Sequence, residues 1–227
     1  MPDLKDKQKL YTELYKRALK KAADDFPTYA RIMAPVIIPE GFVWGKHLQK
    51  LAETLQLVEA GTISRIMIEM PPGGSKSSLV TLFESWCLGR HFSWKVLGIS
   101  HSGQLAMKFS RFVKDIVSSP DYIKIFPDFP GLRADVQAAG YWYLDKTGGM
   151  FVSAGVGAGI AGERANVAVL DDPLSEQTAG SEMERHKVLE WYGPGLKTRM
   201  LPDARIIIVN TRWRLDDLSG YLLDLEK

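Results

Sequence analysis

The chain is short of cysteine, of charge of one sign and of long apolar runs. Among its 227 residues Cys87 is the one cysteine, which excludes an internal disulfide and a multi-cysteine zinc cage and fits a reducing compartment. Its expected role is helix packing. No apolar run approaches the ~18 residues of a membrane span, and the opening MPDLKDKQKLY has no apolar stretch of a secretory signal. A soluble intracellular protein is expected. The net charge is +2, with a pI near 8.5. That is compatible with nucleic acid, but weaker than the strongly basic face of a dedicated DNA-binding domain. Internal repeats and low-complexity segments are absent. What is present is a 45% hydrophobic content, enough for one substantial α/β domain with a small appendage.

Leu10, Tyr11, Leu14, Tyr15, Ala18, Leu19 and Ala22 recur at helical spacing among lysines, which predicts an amphipathic helix over 4–24 that docks one face on the rest. After a proline-containing entry (Pro35, Pro39), GKHLQKLAETLQLVEAG reads as a second helix ending at Gly61. Four apolar runs follow: RIMIEM (65–70), KVLGIS (95–100), NVAVLD (166–171) and RIIIVN (205–210). Continuous apolar runs separated by helical or irregular segments predict an α/β fold with a largely parallel sheet buried on both faces.

EMPPGGSKSSL (69–79) sits between the first of these runs and an expected helix, SSLVTLFESWCLGR. The phosphate-binding loop is written G-x-x-x-x-G-K-[ST]; aligned on Lys76, it puts Met70 and Ser75 where the two glycines should stand. The context still suits an anion, because a loop opening onto a helix presents free N–H groups and the positive end of the helix dipole. Gly73 and Gly74 let the backbone curl close to phosphate, while Pro71 and Pro72 stiffen the entry. Ser75 and Ser78 complete the cradle. Lys76 would reach the outer phosphates, and Ser77 stands where a magnesium-ligating hydroxyl belongs. A plain turn before a helix is the alternative.

NVAVLDDP ends an apolar run in two carboxylates, with Pro173 terminating the strand. Asp171 is assigned to the metal shell and Asp172 to orienting the attacking water. A strand cap opening a turn is the bland alternative. At the end of the next run, Asn210, Thr211 and Arg212 are placed to sense a terminal phosphate, since ligands of open α/β sheets gather at the carboxyl ends of the strands.

Together these residues resemble the ATPase domain of the large terminase subunit of tailed bacteriophages, the motor that packages DNA into a capsid. The resemblance runs from about Pro39 to Leu225 and rests on MPPGGSKSSLVTLFESWCLGR, LAMKFSRFVKDIVSSPDYIKIFP, GIAGERANVAVLDDP followed by SEMERHKVLEWY, and TRMLPDARIIIVNTRWRLDDLSGYLL. Terminases of this type commonly show a Pro-Pro-Arg-x-Gly-Lys-Ser loop, so loss of the first glycine is a family habit. Two departures remain: Gly73 stands where the family often has arginine, and Ser75 replaces the glycine before Lys76.

The resemblance implies an ASCE-type P-loop NTPase fold, with residues 1–40 as an N-terminal helical segment or lid and 41–227 as the ATPase domain. It implies ATP and Mg2+ as cofactors, and double-stranded DNA, a portal protein and a small terminase subunit as partners. It also implies a homo-oligomeric ring, and the host cell cytoplasm as location. Such motors complete the site with an arginine from a neighbouring subunit; here Glu163 occupies the usual place and Arg164 is the candidate, with Arg133 and Arg199 left open. FVWGKHLQKL resembles the segment lying against the adenine, making Trp44, His47 and Gln49 candidates. Full terminases carry a nuclease domain; no clustered acidic two-metal site follows the ATPase motifs, so no nuclease activity is expected of this chain.

Gly157–Gly162 also matches G-x-G-x-x-G, with Glu182 twenty residues on. That dinucleotide fingerprint requires the glycines to open a helix, whereas here they lead into a strand and read as a loop near the nucleotide and subunit boundary. Two other functions compete: a helicase-like, nucleic-acid-stimulated P-loop ATPase, and a scaffold whose degenerate loop no longer hydrolyses nucleotide.

Overall fold

The computed structural model describes residues 3–40, 42–160, 162 and 164–225. Its centre is a seven-stranded sheet. Five parallel strands lie side by side in the order β1 (Arg65–Glu69), β7 (Met200–Asn210), β6 (Ala165–Asp171), β2 (Lys95–Ser100) and β5 (Met150–Gly155). The antiparallel strands β4 (Tyr141–Leu144) and β3 (Leu132–Ala138) extend the far edge. All four runs read from the sequence are strands of the parallel part. The sequence reading missed β3, β4 and β5, and β7 starts five residues before the Arg205 expected for it.

The strands read as continuous apolar runs because both faces are covered. Val96, Val167, Val169, Ile207 and Val209 face one core; Leu97, Ile99, Ala168, Leu170, Ile206 and Ile208 face the other. Each such side chain, fully buried, contributes about 1.5–3 kcal/mol. Against the first face pack α3 (Lys46–Glu59), α4 (Lys76–Arg90), α5 (Gly103–Val117) and α6 (Pro120–Ile125). Against the second pack α8 (Glu182–Glu190), the π-helical turn Trp191–Leu196 and α9 (Leu218–Leu225), after the short α7 (Glu176–Ala179).

Nearly every residue of α4 from Leu79 to Gly89 is buried, Cys87 among them, so this helix is apolar all round rather than amphipathic. Its outer side is covered by α2 (Phe26–Ile37), a helix the sequence reading took for part of a proline-containing entry. Pro27 stands in its first turn, where proline is accepted, and the Asp25 side chain accepts a hydrogen bond from Thr28 N at 2.8 Å. Phe26 meets Phe83 edge-on at 5.4 Å, and the Tyr29 hydroxyl is hydrogen-bonded to Ser85 at 2.7 Å. α3 ends at Glu59, two residues short of the expected Gly61, which follows the cap Ala60 with a φ of +81° that glycine takes at no steric cost.

The first helix, α1 (Leu4–Ala22), forms where expected but does not dock along one face. Leu10, Tyr11, Leu14 and Tyr15 are exposed, and only Leu19 and Ala22 near its end are buried. The stripe is half used: its end packs through Leu19 and Ala22 and Tyr15 lies beside Asp121 of α6, while Leu10, Tyr11 and Leu14 face solvent.

Candidate nucleotide site

Because β7 lies between β1 and β6, the loop leaving β1, the carboxylates ending β6 and the polar residues ending β7 converge on one edge of the sheet.

The loop answers the question its missing glycine raises. Ser75 has φ 58° and ψ 19°, the left-handed conformation that glycine takes freely and other residues adopt at a cost. The chain therefore keeps the backbone the motif needs with a serine in the glycine's place. Gly73 is also left-handed, at φ +78°, with open space around it. Gly74 approaches Met70 and Pro71 closely, so that a Cβ would lie 3.3 Å from the Pro71 carbonyl oxygen. Ser75 gives no side-chain cap to α4. The first N–H groups of the helix, from Lys76, Ser77 and Ser78, thus face outward without that partner.

Lys76 is buried, and its Nζ lies 3.1 Å from Asp172 Oδ2. Asp172 Oδ1 accepts a hydrogen bond from Thr211 N at 2.8 Å, and Asp172 N donates to Val209 O. Asp172 itself has φ 45°, a strained backbone held by these contacts on both sides. The Ser77 hydroxyl lies beside the carboxylate of Asp171, whose Oδ1 is buried with no hydrogen-bond partner among the described residues. Burial, and secondarily the charge of Asp172, push Asp171 up to about 7. A serine hydroxyl beside a carboxylate with a free buried oxygen is a donor set that suits Mg2+, a hard cation taking oxygen ligands.

Asn210 is buried, with its Nδ2 3.4 Å from both Asp217 Oδ2 and Ser219 Oγ, and its carbonyl accepts from Met70 N at 3.2 Å. Asn210 and Thr211 thus bind the root of the loop and Asp172 directly. Lys76, Ser77, Asp171, Asp172, Asn210 and Thr211 thus lie together at the carboxyl ends of β1, β6 and β7.

Of three further expected residues, Trp44 and Gln49 contact each other and His47 does not join them. Trp44 Nε1 donates to Gln49 Oε1 at 2.8 Å, and Arg31 on α2 donates to the same oxygen at 2.9 Å and lies 4.3 Å over the Trp44 ring. His47 is exposed on α3. Arg164 is exposed at the amino end of β6, seven residues from Asp171 and so roughly 23 Å away at about 3.3 Å per residue. It does not reach this chain's own cluster. Arg133 pairs with Asp135 at 2.6 Å, and Arg199 is exposed on a 3-10 turn. Glu163 lies outside the described residues. The glycines from Gly157 lead from β5 into β6 rather than into a helix, as the sequence reading required.

Sequence reasoning missed Glu84, buried on α4, whose carboxyl is pushed well above its ordinary value by burial and by the charge of Asp171. The signal was available: an acid in the middle of LFESWCL. It also missed Glu69 and Asp217 as partners of Arg212. Arg212 Nη1 donates to Glu69 Oε1 at 2.9 Å, and its Nε lies 3.0 Å from Asp217 Oδ2.

No protein-family model matches the sequence, and a search of curated proteins finds no relative of it. Among solved structures the chain is similar to the crystal structure of the HK97 bacteriophage large terminase, with a TM-score of 0.61 and 10% identity over 89% of this chain. The likeness is one of fold. It spans 40% of the length of that terminase. A terminase-like α/β fold is therefore what the expected motifs stand on. No helix among the described residues is long and apolar enough to cross a membrane.

Proposed function

We propose that this chain is the ATP-hydrolysing motor domain of a viral large terminase, which drives double-stranded DNA into a procapsid. The observation that carries the reading is the convergence of Lys76, Ser77, Asp171 and Asp172 from two separate strand ends onto one uncapped helix N-terminus. In this account the α4 amides and Lys76 hold the phosphates. Lys76 exchanges its pairing with Asp172 for a phosphate oxygen, which frees Asp172 to orient a water. Ser77 and Asp171 hold Mg2+, which when bound neutralises charge developing on the transferred phosphoryl group. Thr211 N fixes Asp172, and Asn210 fixes the loop root. Trp44, His47 and Gln49 stand as the adenine-side group.

Arg164 can serve only the site of a neighbouring copy, given its place at the far end of β6. A ring of subunits follows, with the portal protein and the small terminase subunit as further partners and the host cell cytoplasm as the setting. An arginine supplied in trans is worth about 10³–10⁵ in rate, so an isolated copy is slow. Contacts to DNA phosphates make the DNA-stimulated rate salt-sensitive.

The test is binding and turnover of Mg2+-ATP by the native chain and by Lys76→Ala. Binding that depends on Lys76 supports the motor reading. Absence of binding by both proteins replaces it with a non-hydrolysing scaffold.

A further inference from the structure

The mechanism leaves one ion-pair network unused, which runs from the exposed Glu69 through the half-buried Arg212 to the buried Asp217. Glu69 is the last residue of β1, immediately before the phosphate loop, and it pairs in register with Asn210. Along β1, Ile66 and Ile68 pack into the core on the α4 side while Met67 packs into the other. By the alternation of side chains in a strand, Glu69 shares the face of Met67, the face that carries α9. There it meets Arg212.

Arg212 contacts four groups at once. Its Nη1 donates to Glu69 Oε1 at 2.9 Å, its Nη2 lies 3.3 Å from the carbonyl oxygens of Arg214 and Leu215, and its Nε is 3.0 Å from Asp217 Oδ2. The Nε–H is not aimed along a hydrogen bond, so the last contact is ionic. Asp217 is buried, and its other oxygen accepts from Gly220 N at 3.0 Å in the first turn of α9. Gly220 is itself pressed against the loop: a Cβ there would lie 1.7 Å from Leu215 O. The 211–217 loop is thus closed onto the start of α9, and its outer tip exposes Trp213, Arg214 and Leu215.

We infer that Arg212 is a positioning residue, a latch that ties the root of the phosphate loop, through Glu69, to the 211–217 loop and α9 on the opposite face of the sheet from α4. A shift of the phosphate loop moves Glu69, and the Arg212 guanidinium carries that shift to Asp217 and to the exposed tip. The tip and α9 therefore follow the occupancy of the site without touching nucleotide. This inference rests on the proposed nucleotide site. It differs from direct sensing of a terminal phosphate by Arg212, because the guanidinium faces the α9 side.

The experiment uses the full chain with Glu69→Gln, Arg212→Gln, the double variant and Lys76→Ala, and Mg2+-ATP as the probe. Three quantities are read: nucleotide affinity, kcat against KM, and the nucleotide-dependent change in the tryptophan emission that Trp213→Phe removes. The latch predicts that Glu69→Gln and Arg212→Gln each keep affinity within about twofold. Each lowers kcat at least tenfold and abolishes the Trp213 response, and the double variant is no worse than either. Retention of the Trp213 response in Arg212→Gln, or independent effects of the two substitutions, overturns it. Amide exchange without nucleotide separates failure of the latch from failure of the site. If the native chain binds no nucleotide, the latch still requires Glu69→Gln and Arg212→Gln to speed exchange equally across 213–222, and unequal or absent effects refute it.

Discussion

Lys76 Nζ stands 3.1 Å from Asp172 Oδ2, inside the protein, in a chain whose phosphate loop lacks both signature glycines. In the proposed site, Asp172 and a nucleotide phosphate would compete for the same ammonium. Asp172→Asn therefore binds Mg2+-ATP at least as tightly as the native chain and hydrolyses it about 10²–10⁴ times more slowly, the usual range for a positioned acid–base group. Equilibrium titration with a fluorescent ATP analogue and a single-turnover assay check both halves. Unchanged hydrolysis would remove Asp172 from the role assigned to it.

Ser75 holds a left-handed backbone that disfavours any side chain by roughly 1–2 kcal/mol. Ser75→Gly removes that strain, less the chain entropy glycine costs in the unfolded state. The variant is expected to unfold at higher denaturant by about 1 kcal/mol and to retain nucleotide binding. A chemical denaturation series decides it, and a loss of stability would mean that the serine hydroxyl makes a contact worth more than the strain.

Asp171 is shifted from 3.8 up to about 7 by burial, reinforced by Asp172. The folded state therefore holds this proton more tightly than the unfolded chain. The resulting stability is fully present below pH 3.8 and is lost as the pH rises through about 7. About three pKa units correspond to roughly 4 kcal/mol. Without metal, Asp171→Asn should flatten stability across pH 4–7 and exceed the native chain at pH 8, measured by denaturant midpoints. Magnesium-nucleotide binding should show the opposite trend, weakening as the pH falls below 7, because the proton must leave.

Phe26 is fully buried against Phe83 and Trp86. Phe26→Ala is expected to cost about 3–5 kcal/mol, in one cooperative unfolding transition. A separate early loss of the N-terminal helices would instead show α2 to be an independent lid.

What the sequence disclosed follows from which signals are local. Four strands were legible because each is an unbroken apolar run that the buried centre of a parallel sheet demands. β4 and β5 were missed because YWYL and MFVSAG are short and one of them carries small residues, and β5 takes its place through pairing with β2, where Lys95 stands opposite Met150. α2 was missed because Pro35 and Pro39 read as an irregular entry, although Pro35 lies inside the helix and Pro27 sits in its first turn, where the missing N–H has no cost. Lys76, Asp171 and Asp172 were legible from strand-end context. Arg212 could be named, but its partners could not: Glu69 lies 143 residues away in sequence, and only the β1–β7 pairing brings them together.

The most direct test of the central claim is turnover of Mg2+-ATP per subunit, measured across a wide range of protein concentration for the native chain, Lys76→Ala and Arg164→Ala. The account predicts Lys76-dependent turnover that rises with concentration in the native chain. In Arg164→Ala that rise should be lost while binding is kept. Turnover that is independent of concentration and of Arg164 would contradict a site completed by a neighbour, and absence of Lys76-dependent binding would contradict the nucleotide site itself.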